Sequence, residues 1–233
     1  MTDFSRDSGT TAFELNRIGL IGDAQTYPAT VELFSQGAHP ADVYFIHSGI
    51  MKLTRSEDNG QEIVLDLRFA DSLVGSAAAI RQKPHAFTAT TITRCVLTRW
   101  SSAKFLSLLA TDVAIAARVR EILSDEVLDH VSRISQLSCL PARQRLEQLL
   151  WQFCERFPPD PVSSRVETTS RLQLPLKHYE IAHLLAITPT YLCRLLNALE
   201  KENVIKRSKG WIVINKPSDL WHEADSAGGI GLV

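Results

Sequence analysis

The side chains best suited to contact chemistry are concentrated between residues 177 and 209. Thr188, Thr190, Tyr191, Cys193, Arg194 and Asn197 fall within one short apolar-patterned stretch. Lys177 and His178 precede it, and Lys206, Arg207 and Lys209 follow it. Arginine can donate two parallel hydrogen bonds to O6 and N7 of guanine, which makes Arg194 the strongest candidate for reading a base. Thr188, Thr190 and Tyr191 suit a thymine methyl or a phosphate oxygen, and Asn197 lies near the limit of reach. The flanking Lys177, His178, Lys206, Arg207 and Lys209 suit phosphate oxygens, setting affinity and register rather than sequence. Cys193 stands beside Arg194, and oxidation to an acidic sulfur species there would place negative charge near a phosphate backbone.

These residues need rigid elements to present them. His178 to Leu185 places Ile181, Leu184 and Leu185 on one helical face. The break Ala186-Ile187-Thr188 follows, and Thr188-Pro189 gives a hydroxyl N-cap with proline at the first helical position. The second helix, Pro189 to Asn203, turns Leu192, Leu195, Leu196 and Leu199 inward. Two short helices around so small a break have the form of a helix-turn-helix, whose second helix enters the DNA major groove. Val204-Ile205, the basic turn Lys206 to Gly210 and Trp211 to Ile214 then read as the two strands of a wing.

At 233 residues the chain is long enough for two domains, and 45% hydrophobic with 22% charged residues is a globular composition. The apolar runs are far too short to span a bilayer, and Met1 to Thr11 has no apolar signal segment, so a cytoplasmic protein without a membrane partner is expected. Net charge is −1, yet residues 141–222 carry twelve Lys and Arg against eight Asp and Glu, which leaves −5 for the remainder. Such asymmetry fits a basic nucleic-acid-binding module joined to an acidic partner domain. Cys95, Cys139, Cys154 and Cys193 form no CxxC pair, so no local zinc or iron-sulfur site is expected. No phosphate-cradling glycine loop, HExxH or GxSxG is present, which argues against an enzyme.

Along the chain, residues 27 to 100 carry short β-type runs punctuated by turns, the pattern of an antiparallel barrel or sandwich. Asn59-Gly60 is the strongest hairpin signal, because the pair tolerates the positive φ angles of a type I′ turn. Thr88 to Thr93 is expected to pair with Val96 to Thr98. Ser101-Ser102 caps a short helix, and Thr111-Asp112 opens a long one to Leu137. Its residues 113, 116, 123, 127, 134 and 137 alternate steps of three and four, a seam for an identical helix across a two-fold axis. Pro141 marks a hinge, and Arg143 to Phe157 forms a further helix. The expected class is α+β, with a β domain over 1–110, a dimerisation helix over 111–138, a winged helix-turn-helix over 139–217 and a flexible tail over 218–233.

In order and spacing this layout resembles the CRP/FNR family of bacterial transcription regulators over roughly residues 24 to 215. The resemblance is carried by Leu33-Phe34-Ser35-Gln36-Gly37, Val43 to Gly49, Asp71-Ser72-Leu73-Val74-Gly75, Leu174-Pro175-Leu176, Glu180-Ile181-Ala182 and Arg194-Leu195-Leu196. It implies a cyclic-nucleotide-binding-like β-roll, a homodimer, palindromic double-stranded DNA as partner, and contact with RNA polymerase. It also places an effector pocket at Gly75, Ser76, Ala77, Phe87 and Thr88. Cyclic-nucleotide binders of this kind carry a glutamate after the glycine and an Arg-Ser or Arg-Thr pair about ten residues on. Here Gly75 is followed by Ser76-Ala77-Ala78, and the later stretch reads His85-Ala86-Phe87-Thr88. Cyclic AMP is therefore not the expected effector. Family members that read bases with a glutamate on the second helix have no counterpart here, where Thr188-Pro189-Thr190 stands. No cofactor is predicted. Haem is the one group for which donors occur in the sensor region, at His39, His47, His85 and Cys95.

Overall fold

The computed structural model describes residues 22–156, 170–172, 175–208 and 211–215. The chain divides into two compact units at His130 and Val131. The first contains two four-stranded antiparallel sheets. One runs β1 (Ala24–Tyr27), β8 (Cys95–Ser101), β3 (Asp42–Ser48), β6 (Leu73–Val74); the other runs β2 (Glu32–Phe34), β7 (Thr88–Thr91), β4 (Met51–Ser56), β5 (Glu62–Arg68).

The central strand β3 is buried on both faces, and its alternation builds two cores. Tyr44 and Ile46 pack with Met51, Leu53, Val74, Ala89, Cys95 and Leu97. Val43 and Phe45 point the opposite way. They pack with Trp100, with Ala79 of α1 (Ser76–Arg81), with Phe105 of α2 (Ser102–Thr111), and with Ile115, Val119 and Ile122 of α3 (Val113–Cys139). The helix starts follow from side-chain caps. Ser101 Oγ accepts from the Lys104 N–H, and Asp112 Oδ1 accepts from the N–H groups of Ala114 and Ile115.

Three sequence expectations need correction here. The β4–β5 hairpin forms, but not through a type I′ turn. Gly60 has φ +79°, Asn59 does not have a positive φ, and the Gly60 N–H donates to Glu57 O at 2.8 Å. The loop is a type I turn closed by a left-handed glycine, which a loop one residue longer than a two-residue turn favours. Second, Thr88 to Thr93 does not pair with Val96 to Thr98. Strand β7 joins β2 and β4, whereas β8 joins β1 and β3. Thr93 steers that crossing by accepting the Ile50 N–H on its hydroxyl at 2.8 Å. Third, one residue of the expected seam on α3 is used elsewhere: Leu123 packs at the edge of the β-roll core beside Ile115, Val119 and Ile122, which lie outside the seam, while the seam residues Val113, Val127 and Ile134 are exposed, together with Leu128 and Val131.

The second unit holds α4 (Ala142–Arg156), α5 (His178–Leu184), α6 (Pro189–Lys201) and a three-stranded antiparallel sheet ordered β10 (Ile205–Ser208), β11 (Trp211–Ile214), β9 (Ser170–Leu172). Leu146, Leu150, Phe153, Ile181, Leu192, Leu196, Leu199, Ile205 and Ile214 are buried. Each such leucine contributes about 1.5–3 kcal/mol through burial. Arg145 caps two helix ends, donating to the carbonyls of Leu137, Leu140 and Leu185. Among the described residues, no helix is long and apolar enough to cross a membrane.

Candidate nucleic-acid interface

The start of α6 is built as its sequence implies. Thr188 is extended (φ −79°, ψ 150°), its hydroxyl accepts the Tyr191 N–H at 3.2 Å, and Pro189 opens the helix. That hydroxyl is thereby committed to the cap. The turn between α5 and α6 passes through Ala186 in the left-handed region (φ +50°). The helix ends at Lys201 rather than Asn203, because Asn203 also turns left-handed (φ +60°) and its backbone N–H donates to Glu200 O.

With the leucines of α6 turned inward, the opposite face carries Thr190, Tyr191, Arg194 and Asn197, all exposed, with Cys193 half-buried beside them. Thr190, Arg194 and Asn197 follow helical i, i+4, i+7 spacing and so share one face. Lys177 and His178 are exposed at the start of α5. The Lys177 N–H donates to the Glu180 carboxylate at 2.8 Å, and its ammonium lies 5.7 Å from the Tyr179 ring centroid.

The wing differs from its sequence reading. Lys206 and Arg207 are not turn residues but belong to β10, opposite Val213 and Ile212. The apolar run 211–214 pairs with this segment, so the ladder absorbs both cations. Lys206 is exposed, whereas Arg207 is half-buried and faces α6. Its backbone N–H donates to Glu200 Oε1 at 3.1 Å; Nε and Nη2 donate to Glu200 Oε2 at 3.0 and 2.7 Å, and Nη2 also donates to Asn197 Oδ1. The guanidinium holds the Glu200 carboxyl below the usual carboxylate range. Lys209 lies outside the described residues.

In the first unit, Gly75 caps α1 with φ +87°. A Cβ there would stand 2.9 Å from Asp42 O, 3.4 Å from Phe34 Cε1 and 3.6 Å from His85 Cε1. Phe34 and His85 are stacked, with ring centroids 3.7 Å apart and planes 11° from parallel, and Phe87 lies 6.1 Å from Phe34. Two aromatic rings thus close on the glycine. Burial pushes the His85 imidazole below its ordinary range, which favours the neutral ring. Ser76 is buried, Ala77 is exposed, and the Thr88 hydroxyl accepts the Gln36 N–H at 2.9 Å. Of the five residues expected to line a pocket, Ala77 faces away. Phe34 and His85, unassigned to it by sequence, stand at its glycine. A separate open depression of about 580 Å³ lies elsewhere on this unit, where Asp23 and Asp42 sit with Arg99 and Lys104.

The four haem-donor candidates are dispersed in their surroundings. His39 is exposed, His47 is hydrogen-bonded to Thr98 at 2.7 Å, and His85 is stacked. Cys95 Sγ donates to Ile50 O, and burial raises its pKa.

Two family models match the chain: a cyclic nucleotide-binding domain over residues 24–112 and a Crp-like helix-turn-helix domain over residues 144–222. They take up the β-roll and the unit bearing α6 in the order described above. The chain belongs to the CRP/FNR family of transcription regulators. Among curated relatives, the "Global nitrogen regulator" of Synechocystis is 24% identical over 201 residues, covering 84% of this chain and 86% of that one. The "Anaerobic regulatory protein" of Aggregatibacter actinomycetemcomitans is 22% identical, covering 81% and 71%. Among solved structures, FixK2 from Bradyrhizobium japonicum aligns with a TM-score of 0.69 at 15% identity, covering 86% of this chain and 96% of that one. The c-di-GMP responsive global regulator CLP of Xanthomonas campestris aligns at 0.68 and 20%, covering 87% and 98%. Within the CRP/FNR frame, α6 is the recognition helix of the helix-turn-helix and β10–β11 its wing. What sequence reasoning missed is the pairing of Arg207 with Glu200. The only available hint was a pair of opposite charges seven residues apart, one on the predicted second helix and the other in the predicted basic turn.

Proposed function

We propose that this transcription regulator binds palindromic double-stranded DNA as a homodimer, with α6 in the major groove and Arg194 reading a guanine. The observation that carries the reading is the division of α6 into a buried leucine face and an exposed face bearing Thr190, Tyr191, Arg194 and Asn197. Lys177, His178 and Lys206 flank that face, exposed to phosphates. The homodimer rests on α3, where Val127, Leu128, Val131 and Ile134 expose more than half of their surface along one continuous helix. A soluble monomer rarely leaves such a stripe bare, and an identical helix across a two-fold axis covers it. Two recognition helices related in this way read half-sites centred about 34 Å apart. RNA polymerase is then the partner wherever such a site adjoins a promoter, and the bacterial cytoplasm is where both are met.

The signal is separate from the output. The relatives are named for nitrogen regulation, anaerobic regulation and c-di-GMP, and so converge on no single signal. The aromatic closure at Gly75 favours an effector other than an anionic cyclic phosphate. The test of the DNA reading is selection of duplexes from a random pool. Wild-type protein should enrich a two-fold symmetric site. Arg194→Ala should lose about 1–3 kcal/mol and relax preference at one base pair per half-site. An unaltered site preference removes Arg194 from the reading surface.

A further inference from the structure

Arginine in a wing is ordinarily read as a phosphate contact, and composition alone gives Arg207 and Lys206 the same role. Their surroundings separate them. Lys206 projects from β10 into solvent, while Arg207 projects from the opposite face of the strand onto α6. Both the backbone N–H and the guanidinium of Arg207 converge on the Glu200 carboxylate, and Nη2 also reaches Asn197 Oδ1. The fork of the guanidinium is matched by two acceptors that stand three residues apart on the outer side of α6. We propose that Arg207 is a positioning residue, which clamps the wing to the recognition helix through Glu200 and Asn197, and does not neutralise a DNA phosphate.

The physical argument concerns charge and geometry. A phosphate approaching Arg207 would also approach the Glu200 carboxylate, so the attraction of one is offset by the repulsion of the other. Nε and Nη2 are already donated to protein acceptors, and a bidentate phosphate contact would have to break those bonds. The clamp has a second effect. Asn197 stands one helical turn beyond Arg194, and with its carbonyl oxygen held by Arg207 its amide NH₂ is the group left to face outward. Arg207 thereby fixes how the far end of the recognition surface is presented. Lysine cannot substitute, because an ammonium lacks the planar fork that serves both acceptors.

The proposal rests on the DNA-binding reading, and its test separates the two. The full-length protein is titrated by fluorescence anisotropy with the duplex selected by wild type, over salt from about 50 to 300 mM. Arg207→Ala, Arg207→Lys and Glu200→Gln should each weaken binding by about three- to tenfold, the range expected for loss of one hydrogen-bonded network. Their slope of log K against log salt should equal that of wild type. Lys206→Ala, by contrast, should lower that slope by about 0.9 per half-site. Glu200→Gln decides the sign: removing an acidic group near DNA tightens binding if Arg207 is thereby freed for a phosphate, and loosens it if the clamp is needed. A reduced slope for Arg207→Ala together with unchanged or tighter binding by Glu200→Gln overturns the proposal. Hydrogen exchange of the DNA-free proteins supplies the independent arm, with faster exchange of the β10 amides expected in Arg207→Ala and Glu200→Gln. Unchanged exchange there overturns the clamp itself, whereas a wild-type protein that selects no duplex overturns the DNA-binding reading.

Discussion

The glycine corner of the β-roll and the outer face of α6 treat polar groups in opposite ways. At Gly75 the neighbouring side chains turn toward one another: Phe34 stacks on His85, and the Thr88 hydroxyl is used by Gln36. On α6 the side chains of Thr190, Tyr191, Arg194 and Asn197 project outward, held at the base by four buried leucines. One corner is closed by its own aromatic rings, with burial favouring the neutral form of the stacked imidazole. The other presents the guanidinium of Arg194, a planar fork of N–H donors. The contrast teaches that retention of a fold preserves the frame of a site without preserving its chemistry. Output and sensing are thus legible to different degrees in one chain.

The largest effect expected from testing this contrast is at Gly75. Its φ of +87° is strained for any residue with a Cβ, and the added atom would meet Asp42 O at 2.9 Å, a backbone atom that cannot rotate away. Gly75→Ala should therefore destabilise the β-roll by about 1–3 kcal/mol. The readout is hydrogen exchange, with faster exchange of the β3 and β6 amides and unchanged exchange of α6. An unperturbed β-roll would mean that the corner is plastic, and that the closure by Phe34 and His85 opens easily.

A smaller effect follows from titration. Burial lowers the pKa of His85, and burial also lowers that of His47, with Asp71 opposing it. The folded state therefore binds fewer protons than the unfolded chain, whose histidines titrate near pH 6.5. The stability each neutral ring contributes is fully present above about pH 6.5 and is lost as pH falls below it, by at most about 1.4 kcal/mol per pH unit for each proton. His85→Phe preserves the stack and removes one titrating site, so denaturation midpoints measured across this range should fall less steeply on acidification. Equal slopes for variant and wild type would show that His85 takes up its proton as readily in the folded protein as in the unfolded chain.

Much of this arrangement could be read from local sequence, and what could not depends on contacts remote in the chain. The helix pair, its Thr188-Pro189 start and the inward leucines follow from spacing within a dozen residues, and the structure places them accordingly. The order of strands also follows from local alternation and turn residues. Partner choice does not: Thr88 to Thr91 and Cys95 to Ser101 look like neighbours in sequence but belong to different sheets. The six-residue α1 was too short to leave a periodic signal, and it rotates Ala77 away from the corner it seemed to line. The division of α3 was hidden for a related reason. Its inward set at 115, 119 and 122 and its outward set at 127, 131 and 134 follow one another with the same steps of four and three, and only the position of the β-roll tells them apart. Arg207 is the sharpest case, since a free cation and a clamped one are identical in sequence.

The smallest effect expected is none at all, and it bears most directly on the contrast between the two regions. Calorimetric titration with cyclic AMP near pH 7.5 should give no binding heat. An anionic phosphate at this corner would be desolvated against aromatic rings with no guanidinium to pair it, at a cost of several kcal/mol. A micromolar Kd would overturn that expectation and return the corner to the role its fold suggests. Repeating the titration near pH 5.5 sharpens the result, because the imidazolium of His85 is the one cation the stacked pair could supply. Binding that appears only on acidification would show that the corner lacks charge but not shape. Silence at both pH values would place the obstacle in the packing of Phe34 and His85 against Gly75 rather than in the missing charge.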